Sequence, residues 1–147
     1  MIERNLDRMT DLELAKEQLI KEECTSVVRC GENVYFSKAR GVKPLLNWLD
    51  DGMDFTGYSA ADKVVGKAAA MLYVLLGVSR VHALVISEKA MQVFAGNGIE
   101  VTYDTLAERI HNRTNTGFCP MEEAVWEIDD LQEGLQAVRD KVAQLAN

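Results

Sequence analysis

The sequence predicts an α/β protein built on a mixed sheet with helices over both faces. Three observations carry that reading. A β-hairpin pattern lies near the start, over residues 24–36. Strand and helix patterns then alternate along the chain. The most apolar stretch, residues 68–76, is apolar nearly all round and belongs to a helix in the interior. A hairpin followed by strand–helix alternation implies mixed strand directions and cover on both faces.

The elements follow in order. Residues 1–9 read as a short polar arm, and residues 10–147 as one domain. Thr10-Asp-Leu-Glu13 is a capping box, and Leu12, Leu14, Ala15, Leu19 and Ile20 form an apolar stripe on a helix over 11–22. Residues 24–30 are β-rich, 31–33 turn the chain, and 34–36 return as the second strand. Pro44 opens a helix that Gly52 ends. Residues 56–61 read as a short strand. Asp62 is expected to cap the next helix, which runs to Gly77 at its C-terminal end. Residues 78–86 form a buried strand, Ser87 caps a helix to Ala95, and residues 99–103 alternate as a further strand. A helical turn is expected over 106–111, then a polar loop, then helices over 121–128 and 131–145. No Pro/Gly/Ser-rich linker and no repeat divides the chain.

Composition bounds the function without naming it. A chain of 147 residues with 48% apolar side chains suits one packed domain. A net charge of −7 argues against bulk nucleic-acid binding, while leaving room for a small anion in a local basic pocket. Residues 119–147 hold seven acids and two bases, whereas residues 38–81 hold six bases and four acids. The start has no apolar export signal, and no stretch reaches the roughly 20 apolar residues of a membrane span. The expectation is a cytoplasmic protein with no membrane partner. Cys24, Cys30 and Cys119 are odd in number and widely spaced, which suggests no disulfide framework. Two histidines and no metal-ligand spacing suggest neither metal nor cofactor.

Three constellations carry chemistry. In Asp62-Lys-Val-Val-Gly-Lys67, a helical reading puts Lys63 and Lys67 on one face beside Gly66. Cations in a first helical turn oppose the macrodipole, and burying them is costly, so a bound anion would resolve the conflict. Asp62 and a neighbouring carboxylate, or exposure to water, would resolve it equally. A P-loop is excluded, because its first glycine and its final hydroxyl residue are both missing. In the second constellation, Arg40 and Lys43 flank Gly41 before the Pro44 helix, where amides and two cations converge or simply face solvent. The third runs from Asn112-Arg113 to Cys119-Pro-Met-Glu122. It places a thiol at a helix N-terminus, with Glu122 as an acid–base group or merely a favourable first-turn charge.

Gly41-Val-Lys-Pro44, Ala61-Asp-Lys-Val-Val-Gly-Lys67, and Asn112-Arg113 through Cys119-Pro-Met-Glu122 together resemble an uncharacterised prokaryotic domain-of-unknown-function family with a cytidine-deaminase-like fold. The resemblance covers residues 10–145. It implies a three-layer α/β/α sandwich around a five-strand mixed sheet. Zinc deaminases of that fold carry H-x-E or C-x-E and P-C-x-x-C motifs. The corresponding places here, Gly41-Val-Lys43 and residues 61–65, hold no histidine or cysteine. The resemblance therefore implies the fold and the pocket position, but neither zinc nor hydrolytic deamination. Arg40, Lys43, Lys63 and Lys67 stand where zinc would be.

The expected function is binding of a phosphorylated small molecule, a nucleotide or ADP-ribose-like group. Lys63, Lys67, Arg40 and Lys43 would face phosphate, with Gly41 and Gly66 clearing space. Asn112 and Arg113 would add a clamp, and Asp62 would orient a lysine or a ribose hydroxyl. The alternatives are a thiol-based enzyme using Cys119 and Glu122, and a non-catalytic assembly module docking through the acidic helices or a sheet edge. A homo-oligomer is compatible with each.

Overall fold

The computed structural model describes residues 9–112, 114 and 116–146. The elements are α1 (Asp11–Lys21), β1 (Ser26–Cys30), β2 (Asn33–Ser37), α2 (Lys43–Asp50), β3 (Ser59–Val65), α3 (Lys67–Leu76), β4 (Arg80–Ser87), α4 (Glu88–Gly96), β5 (Glu100–Ala107), α5 (Pro120–Ala124) and α6 (Leu131–Ala146). The polar arm expected over residues 1–9 lies outside the described residues, apart from Met9.

Local signals set the ends of several elements. Thr10 and Glu13 form the reciprocal capping box of α1. The Ser87 side chain accepts the Ala90 N–H at 3.2 Å at the start of α4. Gly77 ends α3 in the left-handed region, at φ 92°. The tight turn at Gly31, φ 59°, joins β1 to β2.

The five strands lie in the order β2-β1-β3-β4-β5. β1 is antiparallel to both β2 and β3, with Ser26 opposite Asp62. β3, β4 and β5 run parallel. On one side, Ala15 and Leu19 of α1 pack against Val27 and Ala61. On the other, α2, α3 and α4 bury Leu45, Leu46, Met71, Leu72 and Phe94 against Val28, Val81 and Ala83. Val138 of α6 reaches the same core from behind α3. Each large apolar side chain buried this way contributes about 1.5–3 kcal/mol.

The main departure from expectation lies at residues 62–66. Asp62 does not cap a helix; it sits inside β3, and Gly66 is the N-cap of α3. The cause is strand pairing: Asp62, Val64 and Val65 pair with Ala83, Val85 and Ile86 of β4. Two β-branched residues suit that ladder better than a first helical turn. Lys63 and Lys67 therefore share no helix face. The helical turn expected over 106–111 is also absent, because β5 continues along β4 as far as Ala107. The helix expected over 121–128 is shorter, ending at Ala124. Among the described residues, no helix is long and apolar enough to cross a membrane.

Candidate functional site

Strand β3 ends at Val65, and the chain turns at once into α3. In parallel α/β sheets, the crevice beyond the carboxyl ends of strands is where ligands sit. A cavity of about 780 Å³ opens there. Ligand pockets span roughly 300–1,000 Å³. Its walls come from five places: the start of β1, the loop before α2, the end of β3 with the start of α3, the segment from Ile110 to Glu122, and Leu145 near the end of α6.

The cavity gathers Arg40, Gly41, Asp62 and Lys63 from the first half of the chain. Gly66, Asn112, Cys119 and Glu122 join them. Lys43 and Lys67 are not among its lining residues. Lys43 is exposed at the start of α2. Arg113 lies outside the described residues.

Asp62 forms the floor. It is 8% exposed, and its Oδ2 accepts the Tyr73 hydroxyl at 2.6 Å. Its Oδ1 accepts the Val64 N–H at 3.1 Å. Burial pushes its carboxyl up to about 7, although the Tyr73 hydroxyl and the Val64 and Lys63 amides favour the ionised form. Tyr73 lies 2.6 Å from the hydroxyl of Ser26, a residue that also lines the cavity. Burial, with Asp62 beside it, holds the Tyr73 phenol well above its usual range. Ser26 and Tyr73 were not picked out from the sequence. The available signal was a single polar tip in the otherwise apolar run of α3.

Glu122 is 1% exposed and fully engaged. Its Oε2 accepts the Lys67 N–H at 2.8 Å and the Ser87 hydroxyl. Its Oε1 accepts the Ile110 N–H at 2.8 Å. The carboxylate thus occupies the N-terminus of α3, where the sequence left open a bound anion or a carboxylate of the chain; the protein supplies that anion itself. Gly66 is the residue that permits the approach: a Cβ there would stand 3.1 Å from Glu122 Oε2 and 3.2 Å from Ile110 Cγ1.

Lys67 is directed away from the cavity. Its ammonium donates to the Trp126 carbonyl at 3.1 Å and lies 3.5 Å from Asp129. Lys89 donates to the same carbonyl at 2.8 Å. Arg109 is stacked between Phe118 and Trp126, at 3.9 and 4.0 Å from the ring centres. These contacts anchor the segment that carries Cys119. Asn112 shapes the turn in that segment, its side chain accepting the Thr116 N–H at 3.0 Å.

Cys119 is the half-buried N-cap of α5, and all three cysteines are free. Among the described residues, no group of three or more His, Cys, Asp or Glu side chains is placed to hold a metal ion.

A five-strand mixed sheet with helices, and a ligand-sized cavity at the end of its third strand, define this as an α/β protein with a largely apolar pocket on a polar floor. The chain belongs to the family described as TM1506: Domain of unknown function (DUF1893), which matches residues 14–142. It is similar to a DUF1893 family protein (TM1506) from Thermotoga maritima, whose crystal structure is known at 2.70 Å resolution. The two are 28% identical, with a TM-score of 0.83, over 90% of this chain and 91% of that one. No curated protein matches the sequence.

Proposed function

We propose that the protein binds a phosphorylated small molecule, a nucleotide or an ADP-ribose-like group, in the cavity beside Asp62. Arg40 and Lys63 face the phosphate, and Asp62 meets the rest of the ligand. One observation carries this reading: both cations line a ligand-sized cavity, and among the described residues neither is engaged in an ion pair. Lys67, by contrast, has its partner in Asp129. Apolar walls from Val42, Val64, Ile110 and Met121 suit a flat or alicyclic body between the charged end and the polar floor.

The fold reading that accompanies it is a three-layer, cytidine-deaminase-like sandwich that works without zinc. It is supported by α1 on one side of the sheet and α2, α3 and α4 on the other. A cytoplasmic setting belongs to the same reading, supported by three free thiols.

Native mass spectrometry of freshly purified protein, followed by denaturing release, tests the binding. A co-purifying phosphorylated mass is expected. Calorimetry with AMP and ADP-ribose then compares wild type with Arg40→Glu and Lys63→Glu. Loss of binding in both variants supports the assignment; affinities unchanged by charge reversal overturn it.

A further inference from the structure

Ser26, Tyr73 and Asp62 form a hydrogen-bond chain whose two end residues line one cavity. Tyr73, in the middle, has no exposed surface. Ser26 and Asp62 are register partners on β1 and β3, so backbone pairing holds the two ends at a constant spacing. Each hydroxyl has a single proton to donate. With Asp62 ionised, Tyr73 donates to Asp62 and Ser26 donates to Tyr73. The floor then offers the ligand two acceptors, the free carboxylate lone pairs and Ser26 Oγ. With Asp62 protonated on Oδ2, the order reverses: Asp62 donates to Tyr73, Tyr73 to Ser26, and the Ser26 proton turns toward the cavity.

We infer that this chain is the specificity element of the cavity, selecting a sugar phosphate with vicinal hydroxyls while Asp62 is ionised. The inference rests on the phosphate-binding reading above. Two neighbouring acceptors match two neighbouring hydroxyl donors. A carbonyl or second phosphate at the floor meets acceptors only, leaving buried groups unpaired. Protonation of Asp62 replaces one acceptor with a donor and removes the match.

The groups around Asp62 are few. Tyr73 faces it from α3 and Ser26 from β1, while β4 brings the uncharged Ala83 alongside. α1 packs on the opposite side, against Ala61. Arg40, Lys63, His111, Cys119 and Glu122 complete the ionisable lining. Burial, the largest influence, brings the Asp62 titration to about 7, inside an accessible range.

Calorimetry with D-ribose 5-phosphate, 2-deoxy-D-ribose 5-phosphate and inorganic phosphate tests the inference. At pH 8 the ribose compound should bind wild type at least about tenfold more tightly than the deoxy compound. In Ser26→Ala and Asp62→Asn the preference should fall below about threefold. Lowering the pH to 6 should erase the preference in wild type and leave Asp62→Asn unchanged. Should Asp62→Asn not fold, Ser26→Ala decides alone. If wild type binds both sugars equally, or the preference survives Ser26→Ala, the inference is overturned and the phosphate site stands. If none of the three compounds binds, the inference is overturned; if AMP and ADP-ribose also fail to bind, the phosphate reading falls with it.

Discussion

Glu122 Oε2 accepts the backbone N–H of Lys67 at 2.8 Å, across 55 residues of chain. The N-cap of α3 is Gly66, which has no side chain to do this work. A distant carboxylate therefore caps the helix, and its other contacts tie in Ser87 and Ile110. One residue thus joins the helix start, the end of β4 and the segment that closes the cavity.

Glu122→Ala should be strongly destabilising. Three buried donors lose their acceptor, and each unsatisfied group costs on the order of 1–3 kcal/mol. A loss of about 3 kcal/mol or more is expected in urea unfolding. Glu122→Gln should also destabilise, because its amide N–H₂ faces a donor whichever way it turns. A Glu122→Ala protein as stable as wild type would refute the capping role.

Gly66→Ala tests the same junction from the other side. Its φ of −91° is open to alanine, so backbone strain is not the issue. The new methyl would press on Glu122 and Ile110, at 3.1 and 3.2 Å. Crowding of that kind costs about 1–3 kcal/mol. Thermal unfolding should show the loss, and an unchanged melting temperature would count against the packing described.

Asp62 makes stability depend on pH in an unusual direction. Its carboxyl rises from an ordinary 3.8 to about 7 on folding. Between those values the folded chain holds a proton that the unfolded chain has released. Stability is therefore lost as pH rises through this window, by up to about 1.4 kcal/mol per pH unit, and the loss levels off above 7. Asp62→Asn should remove this term. The stability difference between variant and wild type, followed by urea unfolding from pH 4 to 8, should grow in favour of the variant. A flat difference would rule the effect out. Tyr73→Phe removes a donor to the ionised form, so it should move the Asp62 carboxyl ¹³C titration to higher pH.

The lysines separate into two roles. Lys67→Met should leave phosphate-ligand affinity within about threefold of wild type, since the ammonium faces Trp126 and Asp129 rather than the cavity. Lys63→Met should weaken binding measurably. Equal losses from both substitutions, read by calorimetry, would mean that Lys67 reaches the ligand after all.

Cys119 lines the cavity, and Cys30 lies at the far end of β1. Saturating D-ribose 5-phosphate should slow iodoacetamide labelling of Cys119 and leave Cys30 unaffected. Peptide mass spectrometry resolves the two. Protection of neither thiol would argue that the ligand sits elsewhere.

Much of the fold was legible along the chain. The Thr10 capping box, the Ser87 cap and the Gly77 terminus each depend on atoms a few residues apart. Part of the cavity's lining was legible too, because Arg40, Asp62, Lys63, Asn112 and Cys119 stand out by type and spacing. The boundary between β3 and α3 was not. Asp62 resembles a helix cap locally, and the pairing of Val64 and Val65 with β4 depends on a strand twenty residues away.

Local chemistry was thus enough to specify the order of elements, the hairpin, the caps at Thr10 and Ser87 and the basic excess over residues 38–81. Assembly of the fold settled what those residues do. It turned Lys67 toward Trp126, set Glu122 in the place of an external anion, and joined Ser26, Tyr73 and Asp62 into one chain. The physical reason is common to all three. A buried charge or hydroxyl must find a partner, and which partner it finds depends on contacts 11 to 59 residues apart, which no local pattern encodes.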